Sequence, residues 1–283
     1  MTTADRLTLI VDWSAASSPG PARPTKDRCW TAASGDVAPR YHRTRAACVA
    51  YLLETLRAHS GPALLGFDFP LAHPSFQGEP VLPAGRDLAE MLAVRITDSG
   101  DDSNNRFEVA AAINHEICDR FGLDHGPFWG FVGPSGVRPP AGLTATRPAC
   151  PIPEFRACEL ELIERGLRPQ SAWKLAYPAS VGSQTLTGMA RLHSILTDAA
   201  LADRCRVWPF EEPLGREDEI VIAEVWLGLF EFDREPYLSM EHAEIRDARQ
   251  VMATRDAQAQ SAVSRQSKSE GAILGEATIR SDP

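Results

Sequence analysis

The chain has 283 residues, 43% hydrophobic and 24% charged, the balance of a folded globular protein and not of a disordered one. Its net charge of −9 sits in residues 211–247, which hold twelve acids against Arg216, Arg234 and Arg246, while the remainder balances 26 acids with 26 bases. That distribution excludes the global basic footprint of a general nucleic-acid binder. The first sixty residues carry eight Lys/Arg against five acids, which leaves room for a local basic groove.

In chain order, Leu7–Trp13 (LTLIVDW) is a compact apolar run that predicts a buried strand ending near Asp12. A Ser/Pro/Gly-rich turn follows, then two short strand signals at Arg28–Ala33 and Val37–His42. Thr44 is placed to cap a helix running to about His59, with Cys48, Val49, Leu52, Leu53 and Leu56 on one face and Gly61-Pro62 as the stop. Ala63–Phe69 (ALLGFDF) predicts a second buried strand, ended by Pro70. Residues 98–105 (DSGDDSNN) have the composition of a mobile polar loop. Phe107–Phe121 predicts a helix closed by Gly122. Residues 126–153 are dense in Gly, Pro and aromatics, which suggests a lid over the strand ends. Helices are expected at Glu154–Arg165, Leu186–Ala202 and Ser239–Ala257, with strands at Arg206–Phe210 and Ile220–Trp226. From Gln258 onward the chain is polar apart from Ile273-Leu274, and a loosely attached tail is expected.

Two buried strands joined through a helix imply a parallel pair with a crossover. The order β-β-β-α-β, helices, β, α is that of the RNase H-like fold. The expectation is one α/β domain over residues 1–257, a mixed sheet with flanking helices. It carries a helical and loop insertion at about 85–182, and residues 258–283 form the tail. The six cysteines (Cys29, Cys48, Cys118, Cys150, Cys158, Cys205) show no C-x-x-C pair and no zinc spacing with His, so buried reduced thiols are expected. The opening apolar run is too short for a signal peptide, and no stretch approaches the ~20 apolar residues of a membrane helix. A cytoplasmic protein without a membrane partner is expected; nothing sets its oligomeric state.

Four acids interrupt or flank apolar elements: Asp12 (LIVDW), Asp68 (LGFDFP), Glu224 (IVIAEVW) and Asp247 (IRDARQV). A strand-end carboxylate is a recurring way to line the ligand-binding rim of a parallel sheet. Clustered carboxylates repel one another and need a cation, and divalent ions held this way suit phosphoryl transfer to water. The plainer alternative is that each acid caps a turn or pairs with an arginine. Asp256 rivals Asp247 on the last helix, and Glu54 is placed to approach the same site. His73, five residues past Asp68, is a candidate proton shuttle. Phe128, Trp129 and Phe131 (GPFWGF) are able to stack on a base, or else to pack beneath a loop.

The segments VDWSA, GFDFPLAHP, GPFWGF, RACELEL, SAWKLAYPASVGSQTLTGMARLHSIL, VWPFE, AEVW and RDARQV resemble the bacterial domain-of-unknown-function 429 family, which is predicted to have an RNase H-like nuclease fold. The resemblance runs from about residue 8 to about 257, with an echo in EGAILG. It implies Asp12, Asp68, Glu224 and Asp247 as the catalytic set, with Asp12, Asp68 and Asp247 on Mg²⁺ or Mn²⁺. Arg156, Glu159, Lys174 and Gln184 are implied as substrate ligands beside Trp129, with Ser183 and Thr187 secondary. Some relatives carry a label linking them to molybdopterin-guanine dinucleotide or cobalamin synthesis. Within the echo, Ala272 stands where relatives prefer an aromatic, which weighs against docking of the tail.

Gly182–Gly188 (GSQTLTG) lacks the Lys-Ser/Thr of a phosphate-binding Walker loop. The leading expectation is a metal-dependent phosphodiesterase or nuclease acting on nucleic acid or a nucleotide-like substrate. The alternative is a non-catalytic nucleotide- or cofactor-binding protein. A kinase of the related actin-like ATPase group fits less well, because Asp12 is followed by Trp-Ser-Ala-Ala and not by a Gly-rich phosphate turn.

Overall fold

The computed structural model describes residues 6–227, apart from 35, 37, 134, 135 and 179, together with residues 267–274. The expected helix at 239–257, with Asp247 and Asp256, lies outside the described residues. The central sheet is mixed and seven-stranded. Strand β1 (Leu7–Asp12) pairs antiparallel with β2 (Cys29–Ala33), which pairs antiparallel with β3 (Arg40–His42). On its other side β1 pairs parallel with β4 (Ala63–Phe67), so the two acid-terminated apolar runs are neighbours, as expected. Parallel pairing continues through β8 (Ile220–Val225) to β7 (Cys205–Val207). A separate two-stranded hairpin is formed by β5 (Ser75–Phe76) and β6 (Glu79–Pro80).

Alternation along the central strands divides their side chains between two cores. Leu9, Val11, Leu65, Phe67, Ile220 and Ile222 belong to the larger cluster. Ile10, Leu64, Val221, Ala223 and Val225 belong to a smaller one on the other face. The larger cluster is completed by α1 (Arg45–Ala58), α2 (Gly85–Ala93), α3 (Arg106–Phe121) and α5 (Gly182–Leu196), whose apolar stripes face that side. Helix α1 begins as expected: the Thr44 hydroxyl accepts from the Ala47 amide at 3.1 Å. Helix α3 closes on Gly122 in the left-handed region.

Three expectations are corrected. Residues 98–105 are not an open loop: Asp98 and Asp102 close around Arg45, which has no exposed surface. The Arg45 guanidinium donates to both Asp98 oxygens, at 2.9 and 2.5 Å, and to the carbonyls of Ser14 and Ala16. Burial works to raise the Asp98 carboxyl, but its bonds to Arg45 and Arg191 outweigh burial and hold it below the ordinary value. Secondly, α5 starts at Gly182 and not at Leu186. A Cβ at Gly182 would lie 2.5 Å from the Ala172 carbonyl, and one at Gly188 would lie 2.4 Å from the Phe69 ring. The two glycines let the helix press against the chain; they do not break it.

The third correction concerns the tail. Residues Ser267–Glu270 form a short helix, α6, and Ile273–Leu274 form β9, which adds to the sheet in parallel beside Glu224 and Val225. Ile273 is 4% exposed and Leu274 not at all, so this apolar pair of the tail is spent on docking. Glu270 fixes it further by accepting from the Ser75 and Ala157 amides at 2.9 and 2.8 Å. Ala272 therefore does not prevent docking of these residues.

Candidate functional site

Asp12 and Asp68 occupy equivalent places at the ends of β1 and β4. Val11 stands opposite Phe67 in the register, and the Asp68 amide continues the ladder by donating to the Val11 carbonyl at 3.0 Å. The sheet spacing sets the two backbones about 4.8 Å apart. Both carboxylates line one cleft of about 420 Å³ at the C-terminal edge of the parallel strands. The Asp68 carboxylate also accepts from the Leu227 amide at 3.4 Å.

Helix α5 (Gly182–Leu196) is fastened to this edge. Gln184 donates from Nε2 to the Trp13 carbonyl at 2.8 Å, and the Trp13 indole N–H donates to Thr187 Oγ1 at 3.2 Å. Ser183 donates to the Leu175 carbonyl at 2.6 Å. Gln184 thus lies in the cleft as implied, whereas Thr187 is a buried anchor for Trp13. A second cavity of about 250 Å³ adjoins the first and shares Asp68, Ser180 and Gln184 with it; Glu159, Glu224 and Ile273 line its other side.

Glu224 does not join the aspartates. It stands opposite Phe67 in the register, and it lines the second cavity together with Asp68 but not the cleft that Asp12 and Asp68 share. There it binds Arg156 through both oxygens, at 2.6 and 2.7 Å. Arg156, at the start of α4 (Ala157–Glu164), has no exposed surface. It also donates to Glu159 at 2.8 and 3.1 Å and to the Glu270 carbonyl, while Glu159 accepts from the Arg156 amide in a capping box. Burial opposes its charge, but Glu159 and Glu224 hold Arg156 well above the ordinary arginine value. Two carboxylates share this one guanidinium, so burial and the Glu159 charge still push the Glu224 carboxyl up. Arg156 and Glu224, expected as substrate and catalytic groups, are thus consumed by each other. The cause is a contact across 68 residues of sequence.

Lys174 and Trp129 are also placed elsewhere. The Lys174 ammonium donates to the Pro178 carbonyl at 2.7 Å and lies 5.6 Å from the centre of the Trp129 ring. The lid expectation for 126–153 is corrected, since no described residue of that segment lines either cavity. Buried Asn114 of α3 pins it instead, donating to the Phe128 and Gly142 carbonyls and accepting from the Phe128 amide. Phe128 is fully buried, and Phe131 packs edge-on to Phe107 at 5.0 Å. His73 is 2% exposed, stacked 4.5 Å from Trp173, and neither ring nitrogen has a partner. Burial, reinforced by Arg156, pushes its pKa down to about 3, so it is a neutral core ring and not a proton shuttle.

The same cleft contains two residues that sequence reasoning passed over, Arg28 and Arg106. Arg106 donates to Ser183 Oγ and Ser17 Oγ, each at 2.9 Å, and to Asn104 Oδ1 at 2.7 Å, all of them neutral acceptors. Burial and the nearby Arg45 charge lower its pKa to about 10. Among the described residues Arg28 donates only to the Asp27 carbonyl, at 2.8 Å, and its buried Nε has no partner there. For Arg28 the sole sequence signal is the small basic excess of the first sixty residues, and Arg106 lies outside that stretch. Among the described residues no group of three or more His, Cys, Asp or Glu is placed to hold a metal, and no helix is long and apolar enough to cross a membrane. Comparison with family models, curated proteins and solved structures gives no match.

Proposed function

We propose that this chain is an RNase H-like, divalent-metal-dependent phosphodiesterase whose working carboxylates are Asp12 and Asp68. The observation that carries this reading is the opening of two adjacent parallel strand ends, each with an aspartate, on one cleft. The chain order β-β-β-α-β, then helices and a further parallel strand, supports the fold reading. The motifs VDW and GFDFP, which carry the family resemblance, are the ones that deliver the pair.

The donor set suits Mg²⁺ or Mn²⁺, because Mg²⁺ is commonly held by one or two carboxylates, with water and substrate phosphate completing the shell. Asp12 and Asp68 would hold the ion, and Asp247 is the proposed third ligand from outside the described residues. When bound, such an ion makes a water more acidic and offsets charge on phosphoryl oxygens. Gln184 fixes the Trp13 backbone beside Asp12, and the Leu227 amide orients the Asp68 carboxylate. The cleft volume, with three acids in its wall, favours a nucleotide-sized substrate over long duplex DNA. Six free cysteines, none paired, fit a reducing cytoplasmic compartment.

A non-catalytic nucleotide-binding role is the second reading, favoured by the two arginines in the cleft. Purified protein with Mg²⁺ or Mn²⁺ is to be assayed on single-stranded, duplex and hybrid nucleic acids and on dinucleotides. Hydrolysis by the wild type that is lost in both Asp12→Asn and Asp68→Asn is expected. No hydrolysis of any substrate, with nucleotide binding retained, would leave the second reading standing.

A further inference from the structure

The two cleft arginines differ from the buried arginines elsewhere in the molecule. Arg45 and Arg156 each meet carboxylates directly, whereas Arg106 is withdrawn into the protein and meets only two serine hydroxyls and one amide oxygen. Nε and both Nη1 hydrogens of Arg106 are used by these contacts. Among the described residues its Nη2 makes no hydrogen bond, so two donors remain for something in the cleft. A guanidinium this withdrawn, with another cation nearby, is stabilised by an anion placed against it.

Arg28 repeats the pattern from the opposite strand connection. Its stem lies along Gly20, where an added Cβ would meet Cδ and Nε at 3.1 Å. Among the described residues only Nη1 of its guanidinium has an acceptor. Two guanidinium forks with donors that no described residue accepts line the cleft that Asp12 and Asp68 share, and such forks are the groups by which arginine recognises phosphate.

Building on the phosphodiesterase reading, we propose that Arg28 and Arg106 form a phosphate clamp that selects a small nucleotide-like phosphate ester and holds its phosphoryl group against the aspartate pair. A divalent cation held by Asp12 and Asp68 would add positive charge beside the two arginines, so the clamp works best with the cation bound. Recognition by charge-assisted hydrogen bonds also explains why the cleft needs neither a Walker loop nor the Lys174 ammonium.

The test is calorimetric titration of the full chain with adenosine 5′-monophosphate, adenosine and inorganic phosphate, each with and without Mg²⁺. Arg106→Gln, Arg106→Lys and Arg28→Gln are compared with the wild type, and circular dichroism checks each fold. The nucleotide is expected to bind the wild type more tightly with Mg²⁺, and adenosine alone is expected not to bind. Loss of an arginine should weaken nucleotide binding by about 10–100-fold, with Arg106→Lys in between. Nucleotide binding that is equal in wild type, Arg106→Gln and Arg28→Gln would overturn the clamp, as would the absence of binding to the wild type in both buffers. A parallel Mn²⁺ titration separates the two ideas. Arginine-dependent nucleotide binding without any Mn²⁺ binding would sink the metal reading and leave the clamp standing. Normal Mn²⁺ binding with arginine-independent nucleotide binding would do the reverse.

Discussion

The Arg156 nest and the Asp12–Asp68 cleft are made of the same residue types and lie along the same edge of the sheet, with Asp68 reaching the cavity that Glu224 also lines. In the nest each charged group has met a partner: one guanidinium, two carboxylates and the Glu270 carbonyl close on one another almost wholly buried. In the cleft the cations have been given neutral acceptors and keep donors in reserve. An ionic cluster that satisfies itself holds strands, helices and tail together. Arginines that keep donors no described residue accepts, at a strand edge, are held ready for a ligand. Both patterns look alike in sequence, and only partnership tells them apart.

Breaking the nest should have the largest effect on stability. Arg156→Met strands Glu159 and Glu224 in the core and is expected to cost about 3–5 kcal/mol in urea unfolding. A cost below about 1 kcal/mol would show that the nest is not the fastening described here.

Acid provides a second, smaller break. His73 and His42 have folded values pushed down to about 3 and about 4, the first by burial and then Arg156, the second by burial and then Arg40. Both lie below the ordinary histidine value of about 6.5, so the unfolded chain takes up these protons first. Their contribution is fully present above about pH 6.5 and falls as pH drops through 4 and 3, by a few kcal/mol at about 1.4 kcal/mol per pKa unit. His73→Phe should keep the contacts with Phe128 and Trp173, shift stability at pH 7 by less than about 1 kcal/mol and flatten part of this slope. An unchanged slope would mean that His73 protonates without penalty.

The smallest effect sharpens the boundary of the cleft. Lys174→Met removes a contact over Trp129 and a bond to the Pro178 carbonyl, and should cost less than about 1 kcal/mol. Nucleotide binding should not move, because Lys174 lines neither cavity. A tenfold loss of binding would redraw the site.

The parts of this molecule legible in sequence are those whose signal is local. β1, β4, α1 and α3 follow from unbroken apolar runs, a Thr44 cap and a terminal Gly122, and the same reading found Asp12 and Asp68. It failed where the deciding contact is remote. The helix expected from Leu186 begins at Gly182, whose Cα packs against the Ala172 carbonyl ten residues earlier. Asp98 and Asp102 read as loop acids until Arg45, more than fifty residues earlier, is found between them. Ile273 and Leu274 are too short a run to announce a strand, and β8 supplies the missing partner. Arg28 and Arg106 stood out least, because their distinguishing property is the acid each one lacks.

The central claim is that Asp12 and Asp68 act together on a divalent ion, and calorimetric titration of wild type and Asp12→Asn with Mn²⁺ tests it most directly. The account predicts saturable binding by the wild type and at least about tenfold weaker binding by Asp12→Asn, with circular dichroism unchanged. Equal binding by the two proteins, or none by either at concentrations on the order of millimolar, would contradict it.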